Sequence, residues 1–181
     1  MTTTAPVTTW LPGGDDDLLA LIPKAYAQLG DLYAGLWDAG VDPVTLELCR
    51  LRVAALIGSA ADLAVRDARA VAAGLSDETV EALASWTSSP LITDAQRAVL
   101  SFAEQYVLDA HGVTDADTAA LHLHFSPDQL ATLTTAVAVF DALARVRTIL
   151  SVDAGGSGLA LRPAGIGVAL RASTLDESEE P

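Results

Sequence analysis

Two carboxylates and one arginine in the first half of the chain have the residue types that acid/base chemistry requires. Glu47 precedes Asp62 along the chain, and Arg66 follows Asp62 by four residues. Carboxylates that converge in an apolar pocket can exchange protons with a substrate, so Glu47 and Asp62 are candidate catalytic residues. The guanidinium fork of Arg66 could bind a carboxylate-bearing ligand, with Asp62 orienting it.

The same residues also have structural interpretations, which the sequence leaves open. Glu47 could pair with Arg50 at the i+3 position, or it could be a solvated acid near the start of its helix. Asp62 and Arg66 have the spacing of an i, i+4 pair on an exposed helix face, which is worth only about 0.2–0.5 kcal/mol.

Ser59 and His111 are the remaining candidate site residues. Ser59 could contact a ligand or cap the next helix, and without a Gly-x-Ser-x-Gly elbow or a nearby histidine it is not predicted to be a nucleophile. His111 follows Glu104 by seven residues, so on one continuous helix the two would share a face and could form a proton relay. The structural alternative for His111 is a hydrogen bond to the last carbonyls of that helix.

Thiol redox chemistry and metal binding are not predicted. The single cysteine, Cys49, excludes an intramolecular disulfide and a CxxC pair, and a lone thiol is usually a small buried hydrophobe. His122 and His124 are two residues apart and would point in nearly opposite directions on a helix, so they do not predict a metal site. No cofactor is expected, since the stretch Gly155–Gly158 lacks the strand and lysine of a phosphate loop.

The composition predicts one acidic helical domain. The chain has 181 residues, of which 51% are hydrophobic and 5% aromatic, so its core must come mainly from Ala, Leu and Val. With 10 Lys and Arg against 24 Asp and Glu, the net charge is −14. A field of that sign repels nucleic acid and anionic lipid, so neither is an expected partner.

Pro, Gly and charge patterns divide the chain into three parts. Residues 1–14 are predicted to be a flexible arm, residues 15–152 a helical domain, and residues 153–181 a Gly-rich irregular segment with an acidic tail. The N-terminus lacks the pattern of a secretion signal, and no uninterrupted apolar run is long enough to span a bilayer. A soluble, cytoplasmic protein is expected.

Helix start and stop signals fill the central part. Asp42-Pro43 predicts a helix start, and Thr93–Gln96 and Ser126–Gln129 are capping boxes. One helix is predicted to run through Leu63 and Val71 to Gly74, and the longest from Pro127 to Leu150. The predicted fold class is an all-α bundle of six to eight helices.

One stretch carries a family resemblance. From Glu47 to Leu75 the chain reads ELCRLRVAALIGSAADLAVRDARAVAAGL. With Arg97–Glu104, His124–Ser126 and Phe140–Arg145, it resembles the carboxymuconolactone decarboxylase and alkylhydroperoxidase D-like family over about residues 15–152. The resemblance implies the helical bundle of that family and a homo-oligomer, either a dimer or a trimer of dimers.

The resemblance also implies a departure from the family's thiol chemistry. Its reactive cysteines correspond to Ser59 and Asp62, and its histidine to Arg66, while its proton-relay glutamate corresponds to Glu47. One hypothesis is therefore a non-redox enzyme that acts by acid/base chemistry on a small organic acid or lactone. The alternative is a non-catalytic ligand-binding or oligomeric scaffold protein of the same fold.

Overall fold

A computed structural model describes residues 7–8 and 23–150, and in this part the chain is mainly helical. The eight α-helices of the described part are α1 Pro23–Trp37, α2 Pro43–Ile57, α3 Ala60–Leu63, α4 Ala68–Ala72, α5 Asp77–Glu81, α6 Asp94–Leu108, α7 Asp115–His122 and α8 Pro127–Leu150. Single 3-10 turns follow α5, at Ala82–Ser85, and α6, at Ala110–Gly112. The predicted all-α bundle of six to eight helices is confirmed.

The predicted helix starts are confirmed, because the expected capping hydrogen bonds form. The carboxylate of Asp42 accepts the backbone N–H of Thr45 at 2.9 Å, and Pro43 occupies the first helical position. Both capping boxes form, one at Thr93–Gln96 and one at Ser126–Gln129. Local capping chemistry therefore sets these boundaries before any tertiary contact is considered.

Helix α2 is the centre of the bundle. Every residue from Thr45 to Leu51 is buried, and the helix packs against both α8 and α6. A helix enclosed on all sides is expected to be apolar all round. Helix α2 instead has two buried charged residues, Glu47 and Arg50. Buried charges in a core helix indicate a candidate functional site.

The main core lies between α1, α2 and α8 and includes an aromatic cluster. The ring centroids of Tyr33 and Trp37 are 6.0 Å apart, and Phe140 of α8 lies 5.9 Å from Tyr33. A second, smaller core under α2 and α6 contains Leu48 and Leu100. The long last helix therefore closes one side of α2, and α6 closes the other.

The structure corrects the predicted helix through Leu63 and Val71. That segment contains two short helices, α3 and α4, separated by Ala64–Asp67. Within this break Arg66–Asp67 forms strand β2, which pairs in parallel with strand β1, Val7–Thr8. The two-residue pair was not predicted, because two residues are too few to show an alternating pattern.

Helix α8 is long and apolar enough, by length and composition alone, to cross a membrane. It is the core helix that closes α2, and core helices of soluble proteins meet the same criterion. Its exposed positions include the apolar residues Ala142, Val146 and Ile149 as well as the polar residues Thr134, Thr135 and Arg145.

Parts of the predicted domain division lie outside the described residues. These parts are most of the arm at 1–14, the helical stretch predicted over 15–22, and the Gly-rich segment and acidic tail from 153 to 181.

Candidate functional site

Glu47 lies in the buried part of α2, and its carboxylate accepts three hydrogen bonds. Its Oε2 accepts from Nε of Arg50 at 2.7 Å, and its Oε1 accepts from Nη2 at 2.7 Å. Oε1 also accepts the backbone N–H of Asp67 at 3.1 Å. Since Glu47 is 0% exposed, the ion pair with Arg50 is confirmed and the solvated acid is wrong.

Arg50 links this carboxylate to the broken helix. Its Nη1 donates to the carbonyl oxygen of Asp62 and its Nη2 to that of Val65, each at 3.0 Å. Burial by itself lowers the pKa of Arg50, but the Glu47 carboxylate outweighs burial and holds that pKa above its ordinary value. The guanidinium is therefore charged, and it holds two carbonyls that a continuous helix would use for its own hydrogen bonds.

Asp62 is the second buried carboxylate of the site. Its Oδ1 accepts a hydrogen bond from Nη1 of Arg147, which reaches it from α8, and lies 3.5 Å from Nη1 of Arg50. Its Oδ2 accepts the hydroxyl proton of Ser59, with 2.5 Å between the oxygens. The exposed-face pair of Asp62 with Arg66 is wrong, because Asp62 is buried and α3 ends at Leu63.

Ser59 stands at the N-cap position of α3, as the capping interpretation requires, but its side chain makes no capping hydrogen bond. The hydroxyl is turned inward to Asp62. The structure thus brings Glu47, Ser59 and Asp62 to one place through Arg50. We refer to Glu47, Arg50, Ser59, Asp62 and Arg147 as the buried network.

Arg66 lies half-buried at the edge of the buried network, on β2. Its Nη1 donates to the carbonyl oxygens of Leu63 at 2.9 Å and Val65 at 2.7 Å. Its Nε is buried and has no hydrogen-bond partner within the part of the chain that the structure describes. Burial lowers the pKa of Arg66 and the Glu47 carboxylate opposes that effect, so this arginine keeps its charge with a donor unused.

His111 does not share a helix with Glu104. Helix α6 ends at Leu108, the extended backbone of Asp109 follows, and His111 lies exposed in the 3-10 turn. Its backbone N–H donates to the Asp109 carboxylate at 3.0 Å. The predicted relay is therefore wrong. The helix ends before His111, so Glu104 and His111 do not lie on one helix face.

Among the described residues, the remaining Cys and His side chains are not gathered into a second site. Cys49 is fully buried, and burial raises the pKa of its thiol to about 12, so it is protonated and inaccessible at neutral pH. His122 and His124 are exposed. Over residues 7–8 and 23–150, no group of three or more His, Cys, Asp or Glu side chains is arranged to hold a metal ion.

Arg147 is one of the site residues that the sequence did not identify. It follows Phe140, Leu143 and Ala144 on the buried face of α8, so its spacing marks it as a core position. A charged residue at a core position requires a buried partner of opposite charge. That signal was present in the sequence, although it does not say which carboxylate is the partner.

Asp67 and Arg69 were also missed, and they extend the charged cluster toward α1. The buried Asp67 carboxylate accepts from both Nε and Nη2 of Arg69, each at 3.1 Å. The Arg69 guanidinium lies 4.7 Å from the ring centroid of Trp37. No pattern in the sequence distinguishes these two residues from surface charges.

The sequence matches a known family over most of the helices that form this site. Residues 23–105, from the start of α1 into the last turn of α6, match the carboxymuconolactone decarboxylase family. The match covers a little under half of the chain, so the chain is similar to this family over that stretch. Its matched stretch contains Glu47, Ser59 and Asp62, together with the single cysteine.

One protein relative is similar over part of its length. The Escherichia coli protein YnjA, which is uncharacterised, is 27% identical over 116 residues. The match covers 64% of this chain, and the chain spans 64% of the length of YnjA.

Two solved structures share the family's helical fold. One is a protein of unknown function from Agrobacterium tumefaciens, proposed to be the antioxidant defence protein AhpD, with a TM-score of 0.62 and 19% identity, covering 80% of this chain and 97% of that one. The other is the debrominase Bmp8 in complex with 2,3,4-tribromopyrrole, with a TM-score of 0.64 and 17% identity, covering 94% of this chain and 84% of that one. At these identities the likeness concerns the fold alone.

Proposed function

We propose that this chain is a member of the carboxymuconolactone decarboxylase family that functions by binding a small organic acid and not by catalysis. The observation that carries the proposal is that the carboxylates of the buried network are hydrogen-bonded to other residues of the same network. Each oxygen of Glu47 and of Asp62 already accepts a hydrogen bond from inside the chain. A buried carboxylate that is paired with a guanidinium is shielded from a substrate whose proton it would have to take.

The sequence supports the loss of thiol chemistry. The resemblance aligns the family's reactive cysteines with Ser59 and Asp62, and the single thiol, Cys49, is buried with a raised pKa. Antioxidant defence and debromination, which are named for the two structural relatives, are therefore not proposed for this chain.

Arg66 is the residue that we propose for ligand binding. It lies beside the buried network, it is partly exposed, and its Nε has no partner among the described residues. A carboxylate is the ligand group that best satisfies a guanidinium with unused donors. Since the whole chain has a charge of −14, such an anion must be attracted by a local cation against the general field.

The second candidate function is acid/base chemistry on a small organic acid or lactone, with Glu47 and Asp62 as the catalytic residues. The observation that favours it is the meeting of both carboxylates at Arg50, next to Arg66. For turnover, a ligand would have to displace Arg50 or Arg147 from one carboxylate. Only the closed arrangement is seen, so binding without turnover is the better-supported function.

One experiment separates the two functions. The purified chain is mixed with a panel of mono- and dicarboxylic acids and lactones, and both its melting temperature and the chemical fate of each compound are measured. We expect thermal stabilisation by at least one acid without turnover, because a ligand that binds only the folded state raises its stability. The stabilisation should be lost in Arg66→Gln and kept in Arg145→Gln, whose side chain is exposed on α8.

Two outcomes would contradict the proposal. A flat melting temperature across the panel would exclude organic-acid binding at Arg66. Turnover by the wild-type chain that disappears in Glu47→Gln, with unchanged helix content by circular dichroism, would establish the second candidate function.

The chain is also proposed to assemble as a homo-oligomer, as a dimer or a trimer of dimers. The family resemblance supports this assembly, and the exposed apolar side chains of Val146 and Ile149 on α8 are consistent with it.

A further inference from the structure

A two-residue strand pair lies directly against the segment that carries Arg66. Strand β1, Val7–Thr8, runs parallel to strand β2, with Val7 opposite Arg66 and Thr8 opposite Asp67. It also contacts helix α4, which begins at the residue after β2. A short piece of chain therefore lies along the backbone that positions the proposed anion-binding residue.

The two strands of this pair are held very differently. Strand β2 is fixed by the buried network, because the Glu47 carboxylate accepts the backbone N–H of Asp67 at 3.1 Å. Just before β2, the carbonyl oxygen of Val65 accepts from Arg50 at 3.0 Å. Strand β1 is only two residues long, and so short a parallel pair contributes few hydrogen bonds. Segments with few hydrogen bonds open at the lowest cost in free energy, so we expect β1 to leave and β2 to stay in place.

The Arg66 side chain has a donor that such an opening would make available. Its Nη1 already donates to two carbonyl oxygens of its own segment, whereas its Nε is buried and has no partner among the described residues. A buried donor without a partner is rare in native structures and calls for an explanation. A carboxylate would satisfy it, but burial keeps an anion out while the neighbouring segments stay in place.

We propose that β1 is a strap that controls access to Arg66, so that an anion reaches the guanidinium when β1 leaves β2 and is kept out while the strands are paired. This inference rests on the proposed binding of an organic acid and names how that site is regulated. Because only the open form binds, the apparent affinity is the affinity of the open form multiplied by the fraction of chains that are open. A change that weakens the strand pair therefore strengthens binding.

The test compares the wild-type chain with the double variant Val7→Pro/Thr8→Pro and with the control Val7→Ala/Thr8→Ala. Proline has no backbone N–H, so the proline variant loses every ladder hydrogen bond that β1 donates, whereas the alanine variant keeps both N–H groups. The first readout is the rate at which phenylglyoxal, a reagent for guanidinium groups, modifies Arg66, measured by mass spectrometry. We expect this rate to rise roughly tenfold or more in the proline variant alone, because a minor open state becomes the main one. Arg145, whose side chain is 49% exposed, is the internal reference and should react equally in all three chains.

The second readout is the concentration of succinate or benzoate that gives half of the full thermal stabilisation. We expect the proline variant to need roughly tenfold less of an acid that binds, for the same reason. Circular dichroism should show unchanged helix content, since β1 lies outside the helices. If the double variant loses helix content, Thr8→Pro alone replaces it.

Equal rates of Arg66 modification in the three chains would overturn the strap, whether or not an acid binds. Weaker acid binding by the proline variant than by the alanine variant would also overturn it, since β1 would then be part of the binding site. Faster modification in the proline variant, with no stabilisation of any chain by an acid, would support the strap and contradict organic-acid binding. The two proposals can therefore fail separately.

Discussion

Replacing Arg147 with methionine removes one charge of the buried network and keeps most of the side-chain volume. Arg147 is 5% exposed, and its guanidinium donates to the Asp62 carboxylate across the interface between α8 and α3. Methionine preserves the apolar contacts of the arginine stem, so the change isolates the loss of the charged partner. The variant therefore measures what it costs to leave Asp62 buried with fewer donors.

The expected cost follows from the partners that Asp62 retains. Breaking a buried ion pair by removing one member typically costs about 3–5 kcal/mol. Asp62 keeps the Ser59 hydroxyl at 2.5 Å and the Arg50 guanidinium at 3.5 Å. We therefore expect the lower end, a loss of about 3 kcal/mol in the free energy of unfolding. In a domain of this size that corresponds to a melting temperature lower by roughly 6–12 °C.

Urea unfolding followed by circular dichroism measures this loss directly, and α8 supplies the matched control. Arg145 lies two residues away, pairs with Asp141 at 2.9 Å, and has a side chain that is 49% exposed. Arg145→Met should cost less than about 0.5 kcal/mol, because exposed i, i+4 pairs contribute little. If Arg147→Met is no more than about 1 kcal/mol less stable than the wild type, the reasoning about the buried network is refuted.

Two further predictions concern single residues outside the ion pairs. Cys49 should resist alkylation in the folded chain at neutral pH and react only when urea is added, because its thiol is fully buried and its pKa is raised to about 12; fast labelling of the native chain would contradict this. Gly58→Ala should cost about 1–2 kcal/mol in urea unfolding, because Gly58 ends α2 with a φ of 77°, a left-handed conformation that alanine disfavours. The control is Gly35→Ala, because Gly35 lies inside helix α1 and has open space for a Cβ. This variant should be as stable as the wild type or more stable. Equal losses of unfolding free energy in the two glycine variants would contradict the backbone argument.

The sequence predicted those elements of the fold whose signals are local. Asp42 and the capping boxes at Thr93–Gln96 and Ser126–Gln129 satisfy donors at the first turn of their own helices. Such signals involve residues within about four positions of each other, so they are visible without the tertiary structure. The start of the longest helix, at Pro127, was predicted for the same reason.

The break at Ala64–Asp67 could not be predicted because its cause is tertiary. Local propensity favours a continuous helix from α3 into α4, since the stretch is rich in Ala, Leu and Val. Two side chains of α2 bind its backbone instead: Arg50 takes the carbonyl oxygens of Asp62 and Val65, and Glu47 takes the N–H of Asp67. Once those groups are bound to a buried ion pair, the helix loses hydrogen bonds it needs to continue.

The candidate site was predicted in part for the same physical reason. Glu47, Ser59 and Asp62 were identified from the sequence and do meet. Their meeting depends on Arg50 and on Arg147, which is distant along the chain, and neither was assigned that role. His111 failed because one extended residue at Asp109 is enough to end the helix that its prediction assumed.

The placement of cations explains how an acidic chain can keep a charged interior. Only 10 of its residues are Lys or Arg, yet Arg50, Arg66, Arg69 and Arg147 all lie in or against the same buried cluster. They balance carboxylates inside the bundle, so the excess negative charge lies outside the cluster. Of these four arginines, Arg66 combines partial exposure with a buried donor that has no partner in the described chain, which is why we propose it as the residue that binds an anion.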